Sequence, residues 1–194
     1  MTEIGIIVGS TRPGRRSDSV ARWVQTNAAR RNDAKFELVD IADFGLPLLD
    51  EPVPAAIGKP QHAHTKAWAK TVGGFDGFVF VTPEYNHSVP AALKNAIDYV
   101  FSEWHDKACG FVSYGLEGGI RAVDQLRVAL AEVKIADVRT QVALTLRDDF
   151  ELTSMTDPGS CTPRQRPAEL LERMLDEVIA WTDALAPLRP QTRS

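Results

Sequence analysis

Apolar positions along the chain fall alternately into short runs and helical stripes. Residues 4–8 (IGIIV) and 78–81 (FVFV) are almost wholly apolar over strand length, the pattern of strands covered on both faces. Between them, residues 17–31 set Val20, Trp23, Val24 and Ala28 at helical spacing, and residues 36–40 give a second strand. Pro47, Pro52, Pro54, Gly58 and Pro60 make residues 46–60 a long irregular connection, followed by a second helix over 61–73. After residue 81 comes a polar turn, Thr82 to Ser88. The helix that follows carries Leu93, Ala96, Ile97, Val100 and Phe101, with Ser88 as N-cap and Pro90 in its first turn. Residues 108–113 read as a fourth buried strand. Residues 118–133 read as a helix with Val123, Leu126, Leu130 and Val133 inward. Val142, Leu144 and Leu146 alternate along a fifth strand over 138–146, as on a sheet with one wetter face. A last helix, 166–186, shows Leu171, Met174, Leu175, Val178, Trp181 and Leu185 as one stripe, which makes Trp181 a core residue.

Five strands joined by helices imply right-handed crossovers and a parallel sheet with helices on both faces. Of the two common doubly wound orders, five strands favour the flavodoxin-like 2-1-3-4-5 over the six-stranded dinucleotide fold. The 194 residues suit one α/β domain, with the 166–186 helix packed on it. A net charge of -4 without a basic face argues against nucleic acid. No apolar run reaches membrane-spanning length, and residues 1–9 lack a secretion-signal pattern. Two cysteines, Cys109 and Cys161, suit a reducing compartment, so the expected setting is cytoplasmic.

Candidate chemistry lies at strand ends. Gly9-Ser10-Thr11-Arg12-Pro13-Gly14-Arg15-Arg16-Ser17 joins a buried strand to a helix start, where free N–H groups and the positive helix end favour an anion. Forked arginine donors and hydroxyls in this loop suit a phosphate monoester; a solvated basic turn is the plainer alternative. The spacing is neither G-x-G-x-x-G nor G-x-x-x-x-G-K-[ST], because Arg15-Arg16-Ser17 stands where Lys-Ser/Thr belongs. One terminal phosphate without a P-loop lysine points to a mononucleotide such as FMN. Pro83, Glu84, Tyr85, Asn86 and His87 lie beside that loop if the third strand neighbours the first. Their backbone groups suit the edge of a flat heteroaromatic ring. A third loop, Ser113 to Gly119, contributes Ser113, Gly115, Gly118 and Gly119, where glycine leaves N–H groups free and lets backbone approach a ligand.

Other chemistries fit less well. His62-Ala63-His64 sits at a helix start, where H-x-H spacing sends the rings apart, and no third metal ligand is spaced nearby. Cys109 falls in a buried strand, and Cys161 has no partner base in the sequence around it.

GSTRPGRRS, TPEYNHSVPAALKNAIDYV and EWHDKACGFVSYGLEGG together resemble the NAD(P)H-dependent FMN reductase-like flavoproteins, a family that includes quinone, azo-dye and chromate reductases. The resemblance runs from Ile4 to about Val133. Lys107-Ala108 and Leu116 depart from it, where many relatives have Lys-Pro and a second glycine. It implies a bound FMN reduced by NADPH or NADH and reoxidised at the same face by a small acceptor (free flavin, quinone, azo dye or metal oxyanion). It also implies that Ser10, Arg12, Arg15, Arg16 and Ser17 hold the phosphate. Residues 83–87 would line the isoalloxazine, with Ser113, Gly115, Gly118 and Gly119 at its pyrimidine side. The protein then supplies orientation and N–H dipoles, and no acid/base residue is named as catalytic. A homodimer or homotetramer is implied as well, with Ala91, Ala92, Asn95 and Tyr99 as candidate contacts, though packing within one subunit explains these residues almost as well. The rival is a flavodoxin-type single-electron carrier; the arginine cluster and the modest acidity count against it.

Overall fold

The computed structural model describes residues 1–154 and 156–189. Its elements run β1 (Thr2–Val8), α1 (Ser17–Ala28), β2 (Ala34–Asp40), α2 (Ala63–Gly73), β3 (Gly77–Pro83), α3 (Ala91–Asp98), β4 (Lys107–Gly115), α4 (Ile120–Glu132) and β5 (Ile135–Thr145). A two-residue pair, β6 (Phe150–Glu151) and β7 (Ser160–Cys161), follows, and α5 (Gln165–Leu185) closes the described fold. The five-stranded sheet has the order β2-β1-β3-β4-β5, and every neighbouring pair is parallel. That is the flavodoxin-like order expected from the sequence.

The apolar runs are split between two cores by the period-two alternation of a strand. Ile4, Ile6 and Val8 of β1, with Val79 and Val81 of β3, face α1 and α5. Ile7, Phe78 and Phe80 point the other way, into an aromatic layer with Trp68 and Trp104 under α2, α3 and α4. Burial on both faces fixes the strand register, so the loops at the carboxyl ends of β1, β3 and β4 have little freedom in where they emerge.

Several expectations are corrected. Trp181 is 47% exposed; Thr182 is buried in its place, and Ile179 is buried beside the stripe. The reason lies across the interface: a Cβ on Gly77 would come within 2.5 Å of Thr182 Oγ1, so helix and sheet approach too closely there for an indole. Helix α3 begins after Pro90 and stops at Asp98, leaving Val100 and Phe101 outside it. Ser88 does not cap α3, because its hydroxyl donates to Gln125 Oε1 at 2.8 Å. The rings of His62 and His64 do not diverge. His62 occupies the N-cap position of α2 with extended backbone, outside the helical period, and the rings stack at 5.2 Å with both Nε2 atoms toward Asp50. Of the residues weighed for a subunit interface, Asn95 and Tyr99 make bonds within their own chain, the alternative that the sequence left open. Asn95 Nδ2 donates to Pro47 O (2.7 Å) and the Tyr99 hydroxyl to Asp50 Oδ1 (2.9 Å), which fastens the irregular connection to α3.

Lys107 enters the core at the start of β4. Its ammonium donates to Val72 O at 2.9 Å, closing the end of α2, and lies 5.5 Å from the Phe78 ring centre. Burial, with Arg189 adding to it, lowers its pKa to about 8 from 10.5. Between those values the unfolded chain holds a proton that the folded chain has lost, so stability attributable to Lys107 rises with pH across that window. Denaturant titrations of wild type and Lys107→Met between pH 7 and 10.5 are expected to show wild type gaining relative to the variant, by up to about 3 kcal/mol. A difference that stays flat with pH would rule this out.

Candidate functional site

The loop after β1 is built by close approach and by ion pairing. Gly9 N–H donates to Val81 O at 2.9 Å, carrying the β1–β3 contact one residue past the strand. A Cβ on Gly9 would lie 2.8 Å from that oxygen and 2.9 Å from Leu93 Cδ2, so no larger residue fits without movement. Arg12-Pro13-Gly14-Arg15 forms a tight turn, with Arg15 N–H donating to Arg12 O (3.2 Å) and Gly14 at φ 67°. Proline at the second position and a positive-φ glycine at the third are what a type II turn demands. Arg15 then turns back beneath the loop. It donates to Ser10 O (2.6 Å) and Asp18 Oδ1 (2.6 Å) and forms a forked pair with Asp40 at the end of β2. Burial pulls the Arg15 pKa down, but Asp40 and Asp18 outweigh it and hold the guanidinium above its ordinary value. Arg16 Nη2 donates to Asp157 O (2.7 Å), fastening the loop to the segment between β6 and β7.

The turn after β3 is equally constrained. Tyr85 and Ser88 exchange backbone hydrogen bonds at 2.9 and 3.0 Å, while Asn86 (φ 50°) and His87 (φ 65°) occupy the left-handed region between them. Two consecutive positive φ values are the I′ arrangement, and asparagine tolerates it better than most residues. Neither Asn86 nor His87 N–H is needed for that turn, and both residues are exposed. Glu84 accepts from the Arg121 backbone N–H (3.1 Å) and Nε (2.8 Å), so its carboxylate holds the start of α4 and is not free to act as a base.

The loop after β4 owes its glycines to its own geometry. Gly118 and Gly119 have φ of 77° and 72°, and a Cβ on Gly119 would sit 2.9 Å from Ser113 Cβ and Tyr114 N. Ser113 is buried and donates to Gly118 O at 2.7 Å. Gly115 differs, since a Cβ there would meet only ordinary contacts.

These loops enclose one cleft of about 290 Å³. Arg12, Arg15, Arg16, Pro83, Glu84, Tyr85 and Gly115 line it, together with Gly14, Tyr114, Leu116 and Leu146. Ser10 and Ser17 lie buried beneath the loop; Ser113, Gly118 and Gly119 form the frame of the third loop behind the lining. Asn86 and His87 stand at the exposed tip of the second. Sequence reasoning named neither Asp40 nor Tyr114. Asp40 ends a strand next to the arginine loop, and Tyr114 is the one strand-end residue with both an apolar body and a hydroxyl. Each was a visible signal. Cys109 is fully buried, and burial raises its thiol pKa well above the ordinary range; burial likewise pushes Cys161 up to about 12. Neither is poised as a thiolate.

Residues 2–148 match the family model described as NADPH-dependent FMN reductase. The chain belongs to that family. It is 39% identical over 159 residues to an NAD(P)H-dependent FMN reductase of Schizosaccharomyces pombe, covering 81% of this chain and 80% of that one. An NAD(P)H-dependent FMN reductase from a Nectria species is 36% identical over the full length of both chains. Among solved structures, the flavoenzyme NAD(P)H:(acceptor) oxidoreductase FerB of Paracoccus denitrificans superposes with a TM-score of 0.71 at 21% identity, covering 95% of this chain and 98% of FerB. That likeness speaks for the fold.

In this FMN reductase family member, Arg15 is the strut beneath the loop. Lysine cannot reproduce a fork onto Asp40 while also reaching Asp18 and Ser10 O. Arg15→Lys is expected to lower the stability of the flavin-free protein by about 1–2 kcal/mol, read as a shift in denaturant midpoint at unchanged slope. An unaltered midpoint would show that the network carries no weight.

Proposed function

We propose that this chain is an FMN-dependent NAD(P)H oxidoreductase that works by a ping-pong cycle on a small flat acceptor, with a quinone favoured among the candidates. FMN and NAD(P)H follow from membership of the NADPH-dependent FMN reductase family. The observation that supports the residue assignments is the convergence of three strand-end loops on one cleft with arginines at one side and an aromatic and aliphatic rim at the other. The donor set fits the cofactor. Arg12 and Arg16, with the N–H groups at the start of α1, would hold the phosphate. The backbone at residues 83–87 and Gly115 would border the ring system. When bound, FMN supplies a hydride-accepting ring that NAD(P)H reduces and the second substrate reoxidises at the same face.

The chain's own residues orient and shield. Glu84 is spent on α4, so the loops offer position and N–H dipoles, and no side chain is assigned as a proton donor or acceptor. Leu116, 73% exposed, stands with Leu146 and Tyr85 at the edge of the cleft, and this apolar rim suits a quinone better than a hydrated oxyanion. A homodimer or homotetramer in the cytoplasm completes the proposal. It is supported by the family resemblance and by two free cysteines, and light scattering reads the assembly state. No helix among the described residues is long and apolar enough to cross a membrane.

The purified protein is expected to carry or take up FMN, to oxidise NADPH or NADH in the presence of a quinone, and to give parallel double-reciprocal lines when both substrates are varied. Intersecting lines would overturn the ping-pong order. Bound FMN with no nicotinamide oxidation under any acceptor would favour the single-electron carrier.

A further inference from the structure

Two tyrosine–serine hydrogen bonds fasten the arginine loop at its two ends. Ser10, the first residue after Gly9, shares a hydrogen with the Tyr85 hydroxyl of the β3 turn at 3.0 Å. Ser17, the first residue of α1, meets the Tyr114 hydroxyl at the end of β4 at 2.6 Å. Both bonds are long-range in sequence, and both serines are buried. Ser17 and Tyr114 are both buried, so their hydroxyls depend on one another for a partner and the bond is costly to break. Burial raises the Tyr114 pKa, which keeps the phenol protonated through the neutral range. At the other end, Ser10 Oγ also lies 3.4 Å from the Arg12 N–H, so the start of the arginine turn is tied to the same atom.

We propose that Tyr85 and Tyr114 are positioning residues that hold the 10–17 loop in its anion-binding shape, and that they thereby set this chain's preference for phosphorylated FMN over riboflavin. The inference rests on the FMN reading above. The physical ground is preorganisation. An eight-residue loop with its ends pinned has already lost the freedom that phosphate capture would otherwise remove, so its arginines and N–H groups meet the anion at lower entropic cost. Riboflavin has the same ring system and no phosphate, so its binding does not draw on the loop. The tyrosine hydroxyls engage serines of the loop, so they act through loop position. The rest of the loop is consistent with two-ended support. Arg15 holds Ser10 O from below, while Pro13 and Gly14 are left at the exposed crest.

The test uses Tyr85→Phe and Tyr114→Phe, which keep the aromatic rings and remove only the hydroxyls. Dissociation constants for FMN and for riboflavin are measured by fluorescence quenching on the flavin-free full chain, and amide hydrogen exchange is followed over residues 10–17. Each variant is expected to weaken FMN by about tenfold and to leave riboflavin within about twofold, so the selectivity ratio falls. Exchange should quicken in the loop and stay unchanged in β1 and β3. Equal weakening of both flavins would mean a general structural role and would sink the proposal, as would unchanged FMN affinity. If Tyr114→Phe does not fold, the half-buried Tyr85–Ser10 pair decides the matter on the same ratio. Wild type that binds neither flavin, or both equally, would instead count against the FMN assignment itself, so the two failures are distinguishable.

Discussion

Everything about the candidate site depends on Arg15 lying between Asp40 and Asp18 with its remaining reach on the Ser10 carbonyl. A short loop carrying three arginines is self-repelling. Part of that charge is neutralised from below by Asp40 and Asp18, and Arg16 is fastened to Asp157 O. Asp40 can do this because β2 ends beside β1, and that adjacency is a product of the strand order. The ion pair is thus where sheet topology becomes site chemistry.

The sheet contributes in a second way. Its central strands send alternate residues into two separate cores, so a register slip would expose both at once. The carboxyl ends of β1, β3 and β4 are consequently rigid, and three otherwise ordinary turns face one another across a fixed gap. Each turn is then shaped by local rules: proline and glycine in the first, two left-handed residues in the second, paired glycines in the third. Little of this backbone geometry needs a ligand to explain it. The exposed Arg12, which lines the cleft, carries the guanidinium that an entering anion would meet.

How much of this could be read from the chain varied with the range of the forces involved. Strand and helix identities were legible because burial leaves a period in the sequence, and the 2-1-3-4-5 order followed from five strands and right-handed crossovers. Helix ends were less so. Ser88 looks like a cap beside Pro90, yet its hydroxyl is drawn off by Gln125 on a different helix. Trp181 fits the stripe of α5 by spacing alone, but a glycine on the facing strand brings the sheet so close that threonine takes the inner place. His62 and His64 were misjudged because the first of them lies outside the helix whose period was applied to it.

By itself, then, the chain determined its secondary structure, its sheet order, the three loops and the anion-seeking character of the first. Those follow from periodicity, turn chemistry and charge, which act over a few neighbouring residues. Only the tertiary structure decided which arginine supports and which faces outward, and that Glu84 is committed to α4. It also decided that two tyrosines reach the buried serines of the loop. These are contacts between residues far apart in sequence, selected by packing and desolvation, and no local pattern encodes them.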